Sequence, residues 1–180
     1  VFSTHFLASS VITVYKRKEP SCTLRLITII TDYNLHPYWL GEGVDLYIVS
    51  CDYVRDELLK KNITDDIIRV YGIPVSEKFY LASDRITVAQ KLGVDSSKFT
   101  ALIITGTIGI GPIEEIARAL ADTAQLLVVC GRNKELFERL VKLNHMNVTP
   151  YPLIDHVDEL MSVSDIVLTK AGGLTISESL

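Results

Sequence analysis

Thr100-Ala101-Leu102-Ile103-Ile104-Thr105 runs into Gly106-Thr107-Ile108-Gly109-Ile110-Gly111-Pro112 and then into Ile113-Glu114-Glu115. A continuous apolar run rich in β-branched residues is the pattern of a strand covered on both faces, as in parallel sheets. Glycines let the backbone turn and approach a ligand closely, Pro112 suits the start of a helix, and the glutamates suit its first turn. Strand, glycine turn and helix in that order make a βα unit.

The same rhythm extends in both directions. Downstream, a helix from Pro112 to about Leu120 leads to the strand Leu126–Cys130, a helix from Lys134 to Leu143 and the strand Met146–Tyr151. A helix near Val157–Val163, the strand Ile166–Thr169 and a helix opening around Leu174 complete that side. Upstream, a helix starts at Ser83-Asp84 and stops at Gly93. Before it, Leu26–Thr31, Leu46–Ser50 and Ile67–Tyr71 read as strands, and Asp52 is placed to cap a helix that ends at Asn62. Short strands alternating with helices of roughly ten residues indicate an α/β fold with parallel sheets. The aperiodic stretch Gly72–Leu81 divides the chain, giving expected domains of 1–76 and 77–180, neither of which looks complete.

Composition narrows the function classes. Of 180 residues, 48% are hydrophobic and 22% charged, the range of a packed globular protein. The net charge of -4 argues against a nucleic-acid partner. No apolar run approaches the roughly 18–20 residues of a spanning helix. Cys22, Cys51 and Cys130 are odd in number and lack zinc spacing, and are expected to be reduced core thiols of a cytoplasmic protein. Lys16-Arg17-Lys18-Glu19 reads as a solvated loop, with contact to an anionic membrane surface as the lesser alternative. The chain opens on Val1 without an initiator Met or a secretory leader and stops in the first turns of a helix, as expected of a piece of a longer protein.

Ligands of parallel α/β sheets sit beyond the carboxyl ends of the strands, so the chemistry is sought in those loops. The loop 106–112 is a phosphate-approach turn or simply a tight strand-to-helix connection; it is neither a P-loop nor a GxGxxG fingerprint. Gly131-Arg132-Asn133 offers a phosphate-pairing guanidinium and a helix cap. Leu153-Ile154-Asp155-His156 offers either a backbone rest for a planar base or an Asp155 cap. Lys170-Ala171-Gly172-Gly173-Leu174-Thr175-Ile176-Ser177-Glu178 is the most informative stretch. It is either a diphosphate cradle with a ribose-binding Glu178, or a capping box of Thr175 with Glu178. In the first block, Asp32 and His36 are candidate acid–base groups amid Tyr33, Tyr38 and Trp39.

Taken in order, these stretches form a set. It comprises Thr31-Asp32 with His36-Pro37 and Trp39, Val70-Tyr71-Gly72-Ile73-Pro74-Val75, the glycine loop, Cys130-Gly131-Arg132-Asn133, and Ser164-Asp165-Ile166-Val167 through Glu178. The set resembles the monogalactosyl- and glucosyl-diacylglycerol synthases of glycosyltransferase family 28, which also holds the peptidoglycan lipid-linked N-acetylglucosaminyl transferase.

The resemblance implies two facing Rossmann-like domains of the GT-B type, both incomplete in this chain. A UDP-sugar would be held by the C-terminal one and a lipid acceptor by the N-terminal one. Ile154 would then meet the uracil through its backbone and Glu178 the ribose. Gly173, Leu174 and Thr175 would receive the diphosphate, Gly106, Thr107 and Gly109 would form the opposing loop, and Gly131, Arg132 and Asn133 would line the same pocket. Asp32 and His36 would be catalytic, and His5, His36 and Trp39 would lie on the acceptor side. The position that often carries Arg in the family is Ser76 here. The resemblance further implies hexose transfer to a diacylglycerol-type acceptor without metal or other cofactor, at the cytoplasmic, inner face of the cell membrane. Alternatives are transfer of N-acetylglucosamine to a lipid-linked cell-wall precursor and nucleotide-sugar binding without catalysis. A nicotinamide oxidoreductase fits poorly, because no ribose-binding acid follows the glycine loop at the required distance.

Overall fold

The computed structural model describes residues 1–81 and 84–180, so the Ser83 end of the expected helix start lies outside the described residues. The chain forms two compact units, Val1–Val75 and Ser76–Leu180.

In the first unit the order is β1 (Phe2–Ser3), α1 (Phe6–Lys18), β2 (Ile27–Ile29), β3 (Leu46–Val49), α2 (Asp52–Lys60) and β4 (Ile68–Val70). Short 3-10 turns at Pro37–Trp39 and Asp65–Ile67 lie between these elements. The strands form one parallel sheet in the order β1-β2-β3-β4, with Thr28 beside Tyr47 and Tyr47 beside Ile68. Leu26, Ile30, Trp39, Tyr47, Val49, Val54, Leu58 and Ile68 are the core.

Three expectations change here. Lys16, Arg17 and Lys18 are the last turn of α1 rather than a loop, where cations complement the carbonyl end of the helix dipole. Asp52 is the first residue of α2, and Cys51 occupies the cap position without a side-chain bond. Cys22 and Cys51 are only half-buried; Cys130 alone is a core thiol, and burial pushes it up to about 11.

The second unit contains α3 (Arg85–Leu92), β5 (Thr100–Ile104), α4 (Ile113–Leu120), β6 (Gln125–Val129), α5 (Lys134–Leu143), β7 (Val148–Tyr151), α6 (Val157–Ser162), β8 (Ile166–Thr169) and α7 (Gly173–Glu178). Its parallel sheet runs β7-β6-β5-β8. Successive side chains of a strand point to opposite faces, and the core divides accordingly. Ala101, Ile103, Leu126 and Val128 pack with Ile113 and Ala117 of α4 and Leu136 and Leu140 of α5. Leu102, Ile104, Leu127 and Val129 pack with Ala89 of α3 and Leu160 of α6. This two-sided burial is why the two central strands read as unbroken apolar runs. Pro150 is tolerated because β7 is an edge strand.

Local chemistry sets the helix ends. The Asp84 carboxylate accepts from the backbone N–H of Ile86 and Thr87 at the start of α3, and Gly93 closes that helix at φ 66°. Asn133 caps α5 by accepting from Leu136 N, and Asn144 ends it in the left-handed region at φ 47°.

Asp165, just before β8, ties three parts of this unit together. It accepts two bonds from the Arg85 guanidinium, at 2.8 and 3.0 Å, and one from Thr100 N at 2.7 Å. The Arg85 bonds, then the Thr100 amide, hold its carboxyl below the usual range. A carboxyl depressed in the folded state binds fewer protons than the unfolded chain does. Its contribution is therefore complete above the unfolded value of about 3.9 and is lost as pH falls through the folded value. Asp165→Asn is expected to lower stability by about 1 kcal/mol at neutral pH. It should also flatten the rise in urea midpoint on going from the acid range to above about pH 4.

Candidate functional site

The second unit has a topological switch point. From β5 the sheet is built outward through β6 to β7, and the chain then returns to place β8 on the other side of β5. The loops leaving the carboxyl ends of β5 and β8 therefore part from one another, which opens a crevice at the place where such sheets bind ligands.

The loop after β5 turns tightly, with Gly109 N donating to Gly106 O at 3.2 Å. It is then locked to the loop after β6, backbone against backbone. Arg132 N donates to Thr107 O at 2.8 Å, and Asn133 Nδ2 donates to Gly109 O at 3.0 Å. Asn133 thus caps α5 with one end of its amide and holds the glycine loop with the other. A Cβ on Gly109 would stand 2.1 Å from Cys130 O, and one on Gly131 would stand 2.4 Å from Thr107 O. Both residues have positive φ, 64° and 60°. Glycine is required at each by conformation and by space.

Around this lock lies a cleft of about 330 Å³. Ile104, Gly106 and Thr107 contribute from β5 and its loop, Val129 and Gly131 from β6 and its loop, and Leu153, Ile154 and Asp155 from the loop after β7. Val157 of α6 and Leu174, Thr175 and Glu178 of α7 complete this part of the lining. Of the residues expected at a donor site, Gly106, Thr107, Gly131, Ile154, Leu174, Thr175 and Glu178 are thus brought together. Gly109 and Asn133 brace the lining from behind. Arg132 contributes its backbone N–H to the lock while its side chain is exposed. Gly173 opens α7 without lining the cleft.

Two of the simpler alternatives do not hold. Gly172 is the cap residue of α7 and Thr175 lies inside the helix, so Thr175 and Glu178 do not form a capping box. The cap residue of α6 is His156, with no side-chain cap bond, so Asp155 does not cap that helix. Glu178 makes no ion pair among the described residues; burial raises its carboxyl, and Lys78 opposes that effect.

Ser76, Lys78 and Phe79 also line the cleft, and the sequence reading missed the last two because Gly72–Leu81 has no periodicity. Lys78 Nζ donates to Asp155 O at 2.5 Å and pairs with Asp158 at 2.7 Å, which fixes the β7 loop and α6 against the start of the unit. At the switch point, Lys170 Nζ lies 3.4 Å from the position of a Cβ on residue 106.

In the first unit, His5, His36 and Trp39 meet through the rings of Tyr38 and of Phe6, the second of which the sequence did not single out. His5 stacks on Phe6 at 4.4 Å; Phe6 meets Tyr38 at 5.5 Å and Trp39 at 6.0 Å; His36 meets Tyr38 at 4.6 Å. Both imidazoles cap helical turns. His5 Nδ1 accepts from Leu7 N at 3.2 Å, and His36 Nδ1 accepts from Tyr38 N at 3.3 Å. The neutral ring in each case carries its proton on Nε2. Asp32 accepts from Trp39 Nε1 at 2.7 Å, and no described bond joins it to His36. Its carboxylate positions the indole. Among the described residues, no three His, Cys, Asp or Glu side chains are grouped to hold a metal ion. No helix among them is long and apolar enough to cross a membrane.

Residues 1–75 match the family model of monogalactosyldiacylglycerol (MGDG) synthase, and residues 102–180 match that of the glycosyltransferase family 28 C-terminal domain. A processive diacylglycerol beta-glucosyltransferase of Bacillus subtilis (strain 168) is 30% identical over 169 residues, covering 91% of this chain and 44% of the relative. The protein of the same description from Staphylococcus carnosus (strain TM300) is 33% identical over 162 residues, covering 86% and 41%. The chain thus spans less than half the length of these curated relatives. Among solved structures, Anabaena Alr3699/HepE in complex with UDP-glucose aligns with a TM-score of 0.57 at 16% identity, covering 92% of this chain and 51% of that one. WaaG, a glycosyltransferase involved in lipopolysaccharide biosynthesis, aligns with a TM-score of 0.55 at 14% identity, covering 93% and 59%. At such identities the likeness is one of fold: α/β, with Rossmann-like units of the GT-B type.

The loop lock generates a graded test. Gly93→Ala, at a positive φ with open space around it, should cost about 1 kcal/mol by conformation alone. Gly131→Ala adds a collision with a backbone carbonyl and should cost at least about 2 kcal/mol, read as the shift in urea midpoint.

Proposed function

We propose, from the premise that this chain belongs to glycosyltransferase family 28 on its diacylglycerol-glycosyltransferase side, that the protein transfers a hexose from a UDP-sugar to a diacylglycerol-type lipid. The observation that carries the reading is the convergence of the loops after β5, β6 and β7 with helix α7 of the second unit on one cleft. Together they supply a glycine turn, a backbone rest at Ile154, the hydroxyl of Thr175 and the half-buried carboxylate of Glu178. The named relatives are processive diacylglycerol beta-glucosyltransferases, which favours a glycolipid product over a lipid-linked cell-wall precursor.

In this scheme Ile154 meets the uracil through its backbone and Glu178 accepts bonds from the ribose diol. The α7 start at Gly173, Leu174 and Thr175 receives the diphosphate, and Gly106 and Thr107 close on it. Attack of the lipid hydroxyl on the anomeric carbon forms the new glycosidic bond and breaks the bond to UDP, so negative charge grows on the diphosphate. Amides and hydroxyls held fixed at that point stabilise the departing charge because they need no reorganisation. Asn133 and the glycine lock contribute by keeping the loop rigid. The hydroxyl proton needs an acceptor; His36, with Trp39 and His5 on the acceptor side and Asp32 holding Trp39, is the group this chain offers, and it takes the proton on Nδ1 once that nitrogen gives up its bond from Tyr38 N. A lipid acceptor brings the protein into peripheral contact with the inner face of the cell membrane.

Calorimetric titration of the full-length protein with UDP is expected to give micromolar binding. Glu178→Ala should weaken it at least tenfold, about 1.4 kcal/mol. Because burial raises the Glu178 carboxyl, affinity should begin to fall with decreasing pH sooner than an ordinary glutamate would predict, and Glu178→Gln should remove that dependence. A folded full-length protein that binds no UDP would overturn the assignment.

A further inference from the structure

Lys78 stands at the head of the second unit, outside every strand-end loop, yet several parts of the cleft meet at its ammonium group. A short 3-10 turn, Glu77–Phe79, carries it. That turn is closed by Phe79 N donating to Ser76 O at 3.1 Å and Tyr80 N to Glu77 O at 2.9 Å. From it Lys78 Nζ donates to Asp155 O at 2.5 Å and pairs with Asp158 at 2.7 Å. Asp158 Oδ1 is buried and accepts no well-directed hydrogen bond among the described residues, so the ammonium is the charge that offsets its burial.

The bond to Asp155 O fixes the backbone one residue beyond Ile154. The pair with Asp158 fixes the first turn of α6, so one side chain pins both ends of the segment from Asp155 to Asp158. The same ammonium faces Glu178. Lys78 and Glu178 line the 330 Å³ cleft together, and with Asp158 and Asp165 they line a second cavity of about 500 Å³. Asp155, in the first lining, is paired with His156, and Asp165, in the second, with Arg85. Lys78 is the one cation among the described lining residues of the two cavities. Burial raises the Glu178 carboxyl, and Lys78 opposes that rise.

We propose that Lys78 is a positioning residue for the nucleotide: it holds the β7 loop in the form that meets the base, and it supplies the positive charge facing the carboxylate that meets the ribose. The inference rests on the reading of this cleft as a UDP site and adds to it a residue from the start of the unit. The two roles are linked because one ammonium serves both. Its bonds to Asp155 and Asp158 set where the charge stands, and a carboxylate accepts two ribose hydroxyls best when ionised.

The test is calorimetric titration of the full-length protein with uridine and with UDP, from acid to neutral pH. Uridine has no group that titrates in that range. Lys78→Met should weaken uridine and UDP by the same factor, at least about fivefold, because base and ribose contacts are lost while diphosphate contacts stay. Removing the cation raises the Glu178 carboxyl further, so uridine affinity should begin to fall at higher pH than in the parent. Asp158→Asn removes an anion and should move that fall to lower pH. Opposite displacements are a signature of charge that a loosened fold alone does not produce. Lys78→Arg should return both affinity and pH profile toward the parent's. If Lys78→Met does not fold, Lys78→Met/Asp158→Asn, which leaves no unpaired carboxylate, reads the affinity and Asp158→Asn alone reads the pH profile. The proposal is overturned if Lys78→Met binds both ligands as the parent does. It is overturned equally if Lys78→Met and Asp158→Asn move the pH profile in the same direction, or if neither moves it. A parent that binds UDP and is weakened by Glu178→Ala, with Lys78→Met unchanged, sinks the role of Lys78 alone. A folded parent that binds neither ligand removes the site itself.

Discussion

Two backbone carbonyls, Thr107 O and Cys130 O, occupy the space where side chains at positions 131 and 109 would have to stand. That close approach of two loops is the constraint on which the second unit's cleft depends. It brings the carboxyl ends of β5 and β6 into a single rigid rim, with the Arg132 amide and the Asn133 side chain as its bonds. Of the remaining parts of the cleft, the β7 loop is placed by Tyr151 and Ile154, which pack on the core of the sheet, and α7 follows directly from β8. Rigidity matters for the proposed chemistry because fixed dipoles stabilise a developing diphosphate charge better than groups that must first reorient.

The two units handle polar groups differently. In the second, the central strands are covered on both faces by apolar helix stripes, and the polar bonds lie at strand ends and helix caps. In the first, α1 meets the rest of the unit through hydroxyl groups and an ion pair as well as through Phe6 and Ile12, and it leaves Leu7, Val11, Val14 and Tyr15 exposed. Buried hydroxyls are tolerable only when they satisfy one another, as Ser3, Ser9 and Thr28 do.

The aromatic cluster gives Asp32 and the two histidines roles that their residue types alone do not suggest. Asp32 orients the Trp39 indole, and His5 and His36 cap the turns on which they sit. With Nδ1 turned to a backbone N–H, each ring leaves Nε2 as its outward atom. Lys78 shows the reverse case: a residue in an aperiodic stretch becomes part of the cleft because its ammonium group bridges the β7 loop and α6.

The sequence alone determined the α/β class, the positions of every strand but β1, the Asp84, Gly93 and Asn133 helix ends, and the loops from which a site would be built. These follow from local quantities: residues that are β-branched or able to adopt positive φ act within a few positions of themselves. Periodicity could not reveal α1, because apolar side chains stand on both its sides, Phe6 and Ile12 inward and Leu7, Val11, Val14 and Tyr15 outward, so that no single stripe marks it. Nor could it rank Gly109 and Asn133 as braces and Gly131 and Glu178 as lining, or find Lys78 and Phe6. Those assignments depend on which loop the chain's return to β8 sets beside which other, and distances between residues far apart in sequence are decided only when the sheet and its helices pack.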